Sequence, residues 1–242
     1  MNRSNQYDLI IRGGRIYNGL GDEPVVSDIA IAQGQIAEIS PMISASADEE
    51  IDANGLIVTP GFIDLHTHYD GQVSWDPHLQ PSVNHGVTTV VMGSCGVGFA
   101  PVKPGDHERL VKLMEGVEDI PGTALHEGIN WSWESFPEYM DAIDFPHTID
   151  FASQVVHDPL RMYVLGDRAS YLEPATEAEI EEMRRLTREA LEAGAVGFST
   201  GRSDVHRNSD GEWTPSSEAS VAELEGIARA FVGLEHGVLQ AV

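Results

Sequence analysis

From Phe62 onward the chain alternates short apolar runs with helical stretches, and this pattern narrows the fold more than any other feature. Strand-like runs fall at Phe62–Leu65, Thr88–Met92, Ile149–Val155, Met162–Leu165, Val196–Phe198 and Val238–Ala241. The clearest helix spans Thr176–Ala193: Thr176 suits the N-cap, Glu177, Glu179 and Glu181 favour the first turns, and Gly194 can close it. Ile180, Met183, Leu186, Thr187, Ala190 and Leu191 form its apolar stripe. A second helix is expected from about Ser216–Glu218 to Leu234. Repeated βα units build parallel sheets, and a (β/α)8 barrel takes about 250 residues. The units here supply about half a barrel before the sequence stops in a strand-like run, so the expectation is an α/β protein with an incomplete TIM-like (β/α)8 barrel.

Residues 1–59 read differently, as short strands joined by tight turns. Leu9–Tyr17 reads as strand, Gly13-Gly14 turn, strand, and Asp28–Ile39 repeats the scheme around Gln33-Gly34. A further strand is expected within Ile51–Val58, and Thr59-Pro60-Gly61 marks the boundary with residues 60–242. Within the second part, residues 117–146 carry Trp131, Trp133, Phe136 and Tyr139 and read as an insertion above the strand ends, a candidate lid.

Charge and cysteine usage exclude several classes. The formal net charge is −25, with 39 acidic against 14 basic residues, which argues against nucleic acid and anionic membranes as partners. Cys95 is the only cysteine, so no intramolecular disulfide exists and a cytoplasmic location is expected. The stretch Met1–Asp8 is polar and lacks a signal-peptide core, and no apolar run approaches the roughly 18 residues of a membrane span. An incomplete barrel would leave strand edges and apolar faces open, which points to homo-oligomerisation.

The chemistry concentrates where strand-like runs end. His66 and His68 are spaced i, i+2 after Phe62–Leu65, so in extended backbone both imidazoles face one side and can reach one metal ion. Cys95 follows the Thr88–Met92 run within a glycine-rich segment. Read alone, it is either an inert buried thiol or a zinc ligand. Asp70 either orients a histidine or sits in a solvated turn. Ser199 and Arg202 follow Val196–Phe198, where hydroxyl and guanidinium groups could hold a substrate carboxylate; otherwise Arg202 makes a surface ion pair. His157 is a near-site or packing residue. His78, His107, His126, His147, His206 and His236 read as ordinary loop or helix-end residues.

The array resembles the amidohydrolase superfamily, and within it the N-acyl-D-amino-acid deacylases, or D-aminoacylases. The matching segments are Asp8-Leu9-Ile10-Ile11-Arg12-Gly13-Gly14, Thr59-Pro60-Gly61-Phe62-Ile63-Asp64-Leu65-His66-Thr67-His68, His85-Gly86-Val87-Thr88-Thr89, Gly93-Ser94-Cys95-Gly96 and Gly194-Ala195-Val196-Gly197-Phe198-Ser199-Thr200-Gly201. The resemblance implies a metal-dependent-hydrolase TIM-like barrel preceded by strands of a small β-sandwich. It also implies one or two zinc ions, with His66 and His68 on one metal and Cys95 on the adjacent site. The implied partner is a small N-acyl amino acid or related amide. Many related hydrolases bridge two metals with a carboxylated lysine. Lysine occurs here only as Lys103 and Lys112, neither at an expected strand end, which favours Cys95 as the substitute.

The resemblance further implies histidine ligands from strands 5 and 6 and a general-base aspartate from strand 8, the last expected beyond residue 242. At strand 5, Val242 stands where the family commonly has histidine. Two alternatives therefore stay open: a cyclic-amide hydrolase of the dihydroorotase or hydantoinase kind, and a non-catalytic domain that has lost ligands.

Overall fold

The computed structural model describes residues 7–242, so most of the polar Met1–Asp8 segment lies outside the described residues. The chain divides into two compact units, Met1–Gly61 and Phe62–Val242.

The first unit is a five-stranded sheet. Its strands are β1 (Tyr7–Ile16), β2 (Val25–Ala32), β3 (Gln35–Ser40), β4 (Ala47–Asp52) and β5 (Ile57–Val58). They lie in the order β3-β2-β1-β4, with β5 also paired to β1. The expected Gly13-Gly14 turn is absent, and β1 runs straight through both glycines. Its register against β2 shifts between Ile11 and Gly14, so the pair forms a bulge. Gly13 takes a φ of 65° there, and its N–H donates to Asp28 Oδ1 at 2.8 Å. The Gln33-Gly34 turn forms as expected, with both residues at positive φ, as a two-residue hairpin loop requires. Tyr7, Ile10, Ala30 and Ile43 make a small core. Beside it Arg12 ties β1 to Asp28, Glu50 and the carbonyls of Ile43 and Ala45. Elsewhere on the sheet Ile11, Ile31, Ile36 and Ile39 line an apolar groove of about 340 Å³.

The second unit is built on β6 (Phe62–Asp64), β7 (Val87–Met92), β8 (Asp150–Val156), β9 (Gly197–Thr200) and β10 (Val238–Ala241). All neighbours pair parallel, in chain order, so every connection is a crossover and the sheet is half of a barrel wall. Helices α1 (His107–Glu118), α2 (Gly122–Gly128) and α3 (Phe136–Ile143) lie between β7 and β8. Between β8 and β9 come α4 (His157–Leu165), α5 (Asp167–Ser170) and α6 (Glu177–Glu192), and α7 (Val221–Ala228) precedes β10. Val90, Met92, Val155 and Phe198 of the strands pack with Leu110, Met114, Met183, Leu191 and Ile227 of the helices in one core. Trp133, Phe136 and Tyr139, from the segment expected as an insertion, are buried in that same core.

Helix α6 forms as its sequence dictates. The Thr176 side chain accepts from the Glu179 N–H, the Glu179 carboxylate accepts from the Thr176 N–H, and Met183, Thr187, Ala190 and Leu191 are buried. The Met162–Leu165 run is not a strand but the last turns of α4. A short apolar run does not by itself distinguish a buried strand from a helix, and Pro159 sits in the first turn of α4, where proline is tolerated. Helix α7 starts at Val221, later than expected, because Ser220 caps it by accepting from the Glu223 N–H. Among the described residues no helix is long and apolar enough to cross a membrane.

Candidate metal centre

Three side chains converge at the C-terminal ends of β6 and β7. β6 stops at Asp64, short of the histidines, but the ladder is extended by Thr67: its N–H and its hydroxyl both donate to the Val91 carbonyl, at 3.0 and 2.8 Å. With Thr67 pinned to β7, His66 and His68 project together, their ring centroids 5.3 Å apart and 65° between planes. Cys95 lies beyond β7 with a φ of 55°, which turns its side chain toward them. The backbone there is tightly held. Gly96 N–H donates to Ser199 Oγ at 3.1 Å, and the Gly96 carbonyl accepts from Asp158 N–H at 2.9 Å. A Cβ on Gly96 would stand 2.7 Å from the Gly201 nitrogen, so only glycine admits this approach of the β7 and β9 loops.

His66 Nε2 lies 3.2 Å from Cys95 Sγ, and one donor atom from each of His66, His68 and Cys95 falls within 4.8 Å of the others. Burial, with the charges of His66 and His68's neighbour His206, pushes His68 down to about 4, so its imidazole is neutral and keeps a lone pair for a cation. Burial first, and the nearby Glu118 charge second, push the Cys95 thiol up to about 12. A bound dication reverses that preference, because thiolate is the form that coordinates. Two imidazoles and one thiol, with His68 Nδ1 buried and unpartnered, are a donor set that fits zinc.

Sequence reasoning missed two residues. Glu118, the last residue of α1, places Oε2 3.1 Å from His68 Nε2. His206, from the loop after β9, lies close enough for its charge to act on both His68 and Glu118, and its Nδ1 is buried without a partner. Neither could be found by spacing, since both arrive from distant parts of the chain. The structure thus places His206 near this centre, where the sequence suggested an ordinary loop residue.

The other expected residues are spread around this centre. Asp70 is buried, its carboxyl meeting the Gly93 N–H, and burial pushes it up to about 7. Ser199 serves the Cys95 loop through Gly96, as above. Arg202 donates from Nη1 to the Ala219 carbonyl at 3.0 Å. His157 is fully buried at the end of β8, with Nδ1 2.8 Å from Thr200 Oγ1 and Nε2 2.9 Å from Glu223 Oε1. Burial lowers its pKa. The partners then assign the tautomer: Nε2–H donates to the Glu223 carboxylate and Nδ1 accepts from the Thr200 hydroxyl. Arg161 Nε donates to the same Glu223 oxygen at 2.7 Å, and its other nitrogens donate to the carbonyls of Pro215 and Glu173.

Asp158, next to His157, is fully buried. Its Oδ1 accepts from Ser216 N–H at 2.6 Å, while Oδ2 has no partner. Burial pushes its carboxyl up to about 7, well above the ordinary carboxylate range. The folded state therefore holds this proton across a window in which the unfolded chain has lost it, and stability from this group declines as pH rises from about 4 to beyond about 7. Asp158→Asn is expected to flatten that decline, gaining on the order of 1–3 kcal/mol on the wild type between pH 5 and pH 8. Urea midpoints at the two pH values measure it; an unchanged difference between variant and wild type at both would refute the assignment.

A parallel half-barrel with its polar side chains gathered at the C-terminal strand ends is the arrangement of α/β-barrel enzymes, whose sites lie on that face. The comparisons make this specific. The amidohydrolase family matches residues 49–242, and the chain belongs to that family. It is 33% identical to the D-aminoacylase of Alcaligenes xylosoxydans xylosoxydans over 98% of this chain and 44% of that protein. It is 41% identical to an uncharacterized protein of Mycobacterium tuberculosis, over 80% of this chain and 32% of the relative. Among solved structures, N-acyl-D-glutamate deacylase from Bordetella bronchiseptica, complexed with zinc and a phosphonate inhibitor, superposes with a TM-score of 0.73 at 32% identity, over 97% of this chain and 44% of that one. The chain thus spans 32 to 44% of the length of these relatives.

Proposed function

We propose that the protein is a zinc-dependent amidohydrolase that deacylates N-acyl-D-amino acids, with His66, His68 and Cys95 as metal ligands. The observation that carries this reading is the convergence of those three donor atoms within 4.8 Å at the strand ends. The similarity to D-aminoacylase and to the zinc-bound deacylase structure supports the substrate class. When bound, zinc supplies a Lewis acid that polarises an amide carbonyl and brings the pKa of water toward about 7. The chain's own residues hold and shape the site. Thr67 sets the direction of the histidine pair, and Ser199 holds the Cys95 loop through Gly96. His157 fixes Thr200 at the end of β9. Arg202 keeps guanidinium donors beyond its bond to Ala219 that suit a substrate carboxylate.

The two lysines disfavour the cyclic-amide alternative, which relies on a bridging carboxylated lysine. Lys112 is paired with Asp210 at 2.7 Å, and Lys103 lies over the Tyr163 ring at 5.2 Å. The deciding measurement is turnover of the purified protein on N-acetyl-D-amino acids, their L-enantiomers and hydantoins, before and after chelation. Hydrolysis of the D-substrates that is lost on chelation and restored by zinc is expected. Preference for hydantoins, or hydrolysis indifferent to chelation, would overturn the reading.

A further inference from the structure

The connection between β7 and β8 sends two buried aromatic side chains back to the loops that carry the metal donors. Helix α3 is set in place by Ser135, whose hydroxyl accepts from the Glu138 N–H while the Glu138 carboxylate accepts from the Ser135 N–H. From this helix Tyr139 donates its hydroxyl to the Asp70 carbonyl at 2.8 Å, two residues after His68. Just before the helix, Trp133 donates its indole N–H to the Phe99 carbonyl at 2.8 Å, four residues after Cys95. Both aromatic side chains are buried. Packing alone does not call for their polar tips. Phenylalanine would fill much of the same space, and a buried hydroxyl or indole N–H is costly unless it meets an acceptor. Here each meets the backbone of one donor-bearing loop.

The two anchors are joined. The rings of Trp133 and Tyr139 meet edge to face, with centroids 5.1 Å apart and 63° between planes. Beside them the Val102 N–H donates to the Glu134 carbonyl at 2.7 Å, a further tie between the same segments. The loops also interlock with each other. The Asp70 carboxyl accepts from the Gly93 N–H, and a Cβ on Gly98 would stand 3.0 Å from Asp70 Oδ1. A Cβ on Gly71 would stand 3.0 Å from the Phe99 ring and 2.9 Å from Leu125 of α2. Thr67 fixes the histidine pair at the strand ends; past the ends of β6 and β7 these contacts set the separation of the two loops. A metal site needs its donors within about 0.5 Å of their working positions, and that precision comes from residues behind the ligands. We propose that Tyr139 and Trp133 are positioning residues of the metal centre, a brace that fixes the segment after His68 against the Cys95 loop. This rests on the metal-binding reading above. In that role residues 131–139 form a fixed wall of the site.

The test compares Tyr139→Phe, which removes one oxygen and keeps the ring, with Ile143→Val, which trims a fully buried side chain of the same helix. Zinc and cobalt alone are the probes, on purified protein stripped of metal. Tyr139→Phe is expected to weaken zinc by about 10–100-fold in competition with a chromogenic chelator, the scale for losing a group that orients a ligand. The visible d–d bands of the cobalt form should change with it. In the metal-free protein, amide hydrogen exchange should quicken across residues 68–74 and 93–99 and stay unchanged in α6. Ile143→Val is expected to lower the melting temperature and to keep the zinc affinity and cobalt spectrum of the wild type. Should Tyr139→Phe not fold, Trp133→Phe, which deletes the other donor, is read against the same control. Wild-type affinity and spectrum in the folded donor variant overturn the proposal. So does an equal loss of zinc in Ile143→Val, which makes α3 a general support of the core. A wild type that binds neither metal removes the metal-binding reading itself. The exchange comparison needs no metal and separates the two failures: unchanged exchange in both loops removes the brace.

Discussion

Replacing both His66 and His68 by alanine is expected to lower turnover on N-acetyl-D-amino acids by at least about 10³-fold, the scale of several kcal/mol of lost Lewis-acid stabilisation. Bound zinc should fall with it. The fold should survive, because His66 is exposed and His68 is only partly buried. The residue that orients the pair is Thr67, through two bonds to the Val91 carbonyl, and the substitution leaves it in place. Activity and zinc content measured on the same preparation check this. Near-normal turnover in the double variant would remove these histidines from the site.

The largest effect on stability is expected at Glu223. Its carboxylate is fully buried and accepts from both His157 and Arg161, and Arg161 is itself 1% exposed. Burial alone would raise the Glu223 pKa, but the hydrogen bonds from His157 and Arg161 and the Arg161 charge outweigh it and hold the carboxyl below its ordinary value. Glu223→Ala leaves the guanidinium buried without a counter-charge and the His157 N–H without an acceptor. Breaking a buried pair from one side costs about 3–5 kcal/mol. Glu223→Gln keeps an acceptor for both donors and loses only the charge, so its cost should be smaller, about 1–3 kcal/mol. Denaturant unfolding at neutral pH orders the three proteins. A loss below about 1 kcal/mol in Glu223→Ala would show that the network does not carry this stability. The same network fixes Thr200 at the end of β9, so Glu223→Ala is also expected to loosen the loop that abuts Cys95.

Much of this protein is determined by local sequence. Alternating apolar runs and the capped, amphipathic α6 dictate a parallel α/β sheet, because strand and helix periodicity are properties of neighbouring residues. His66 and His68 were legible for the same reason: an i, i+2 pair after an apolar run needs only short-range geometry to share a face. Where local signals were ambiguous, the tertiary structure decided. Gly13-Gly14 became a bulge because Asp28 of β2 accepts the Gly13 N–H, and Met162–Leu165 became helix because β8 runs directly into α4 at Val156. Glu118 and His206 had no signal in the sequence at all. One comes from the end of a helix after β7 and the other from the loop after β9, and nothing about their local spacing says that both lie near His68. Periodicity acts over a few residues. Which carboxylate and which imidazole reach a common point depends on the paths of long connections, and those are set only when the sheet is assembled and the core is packed.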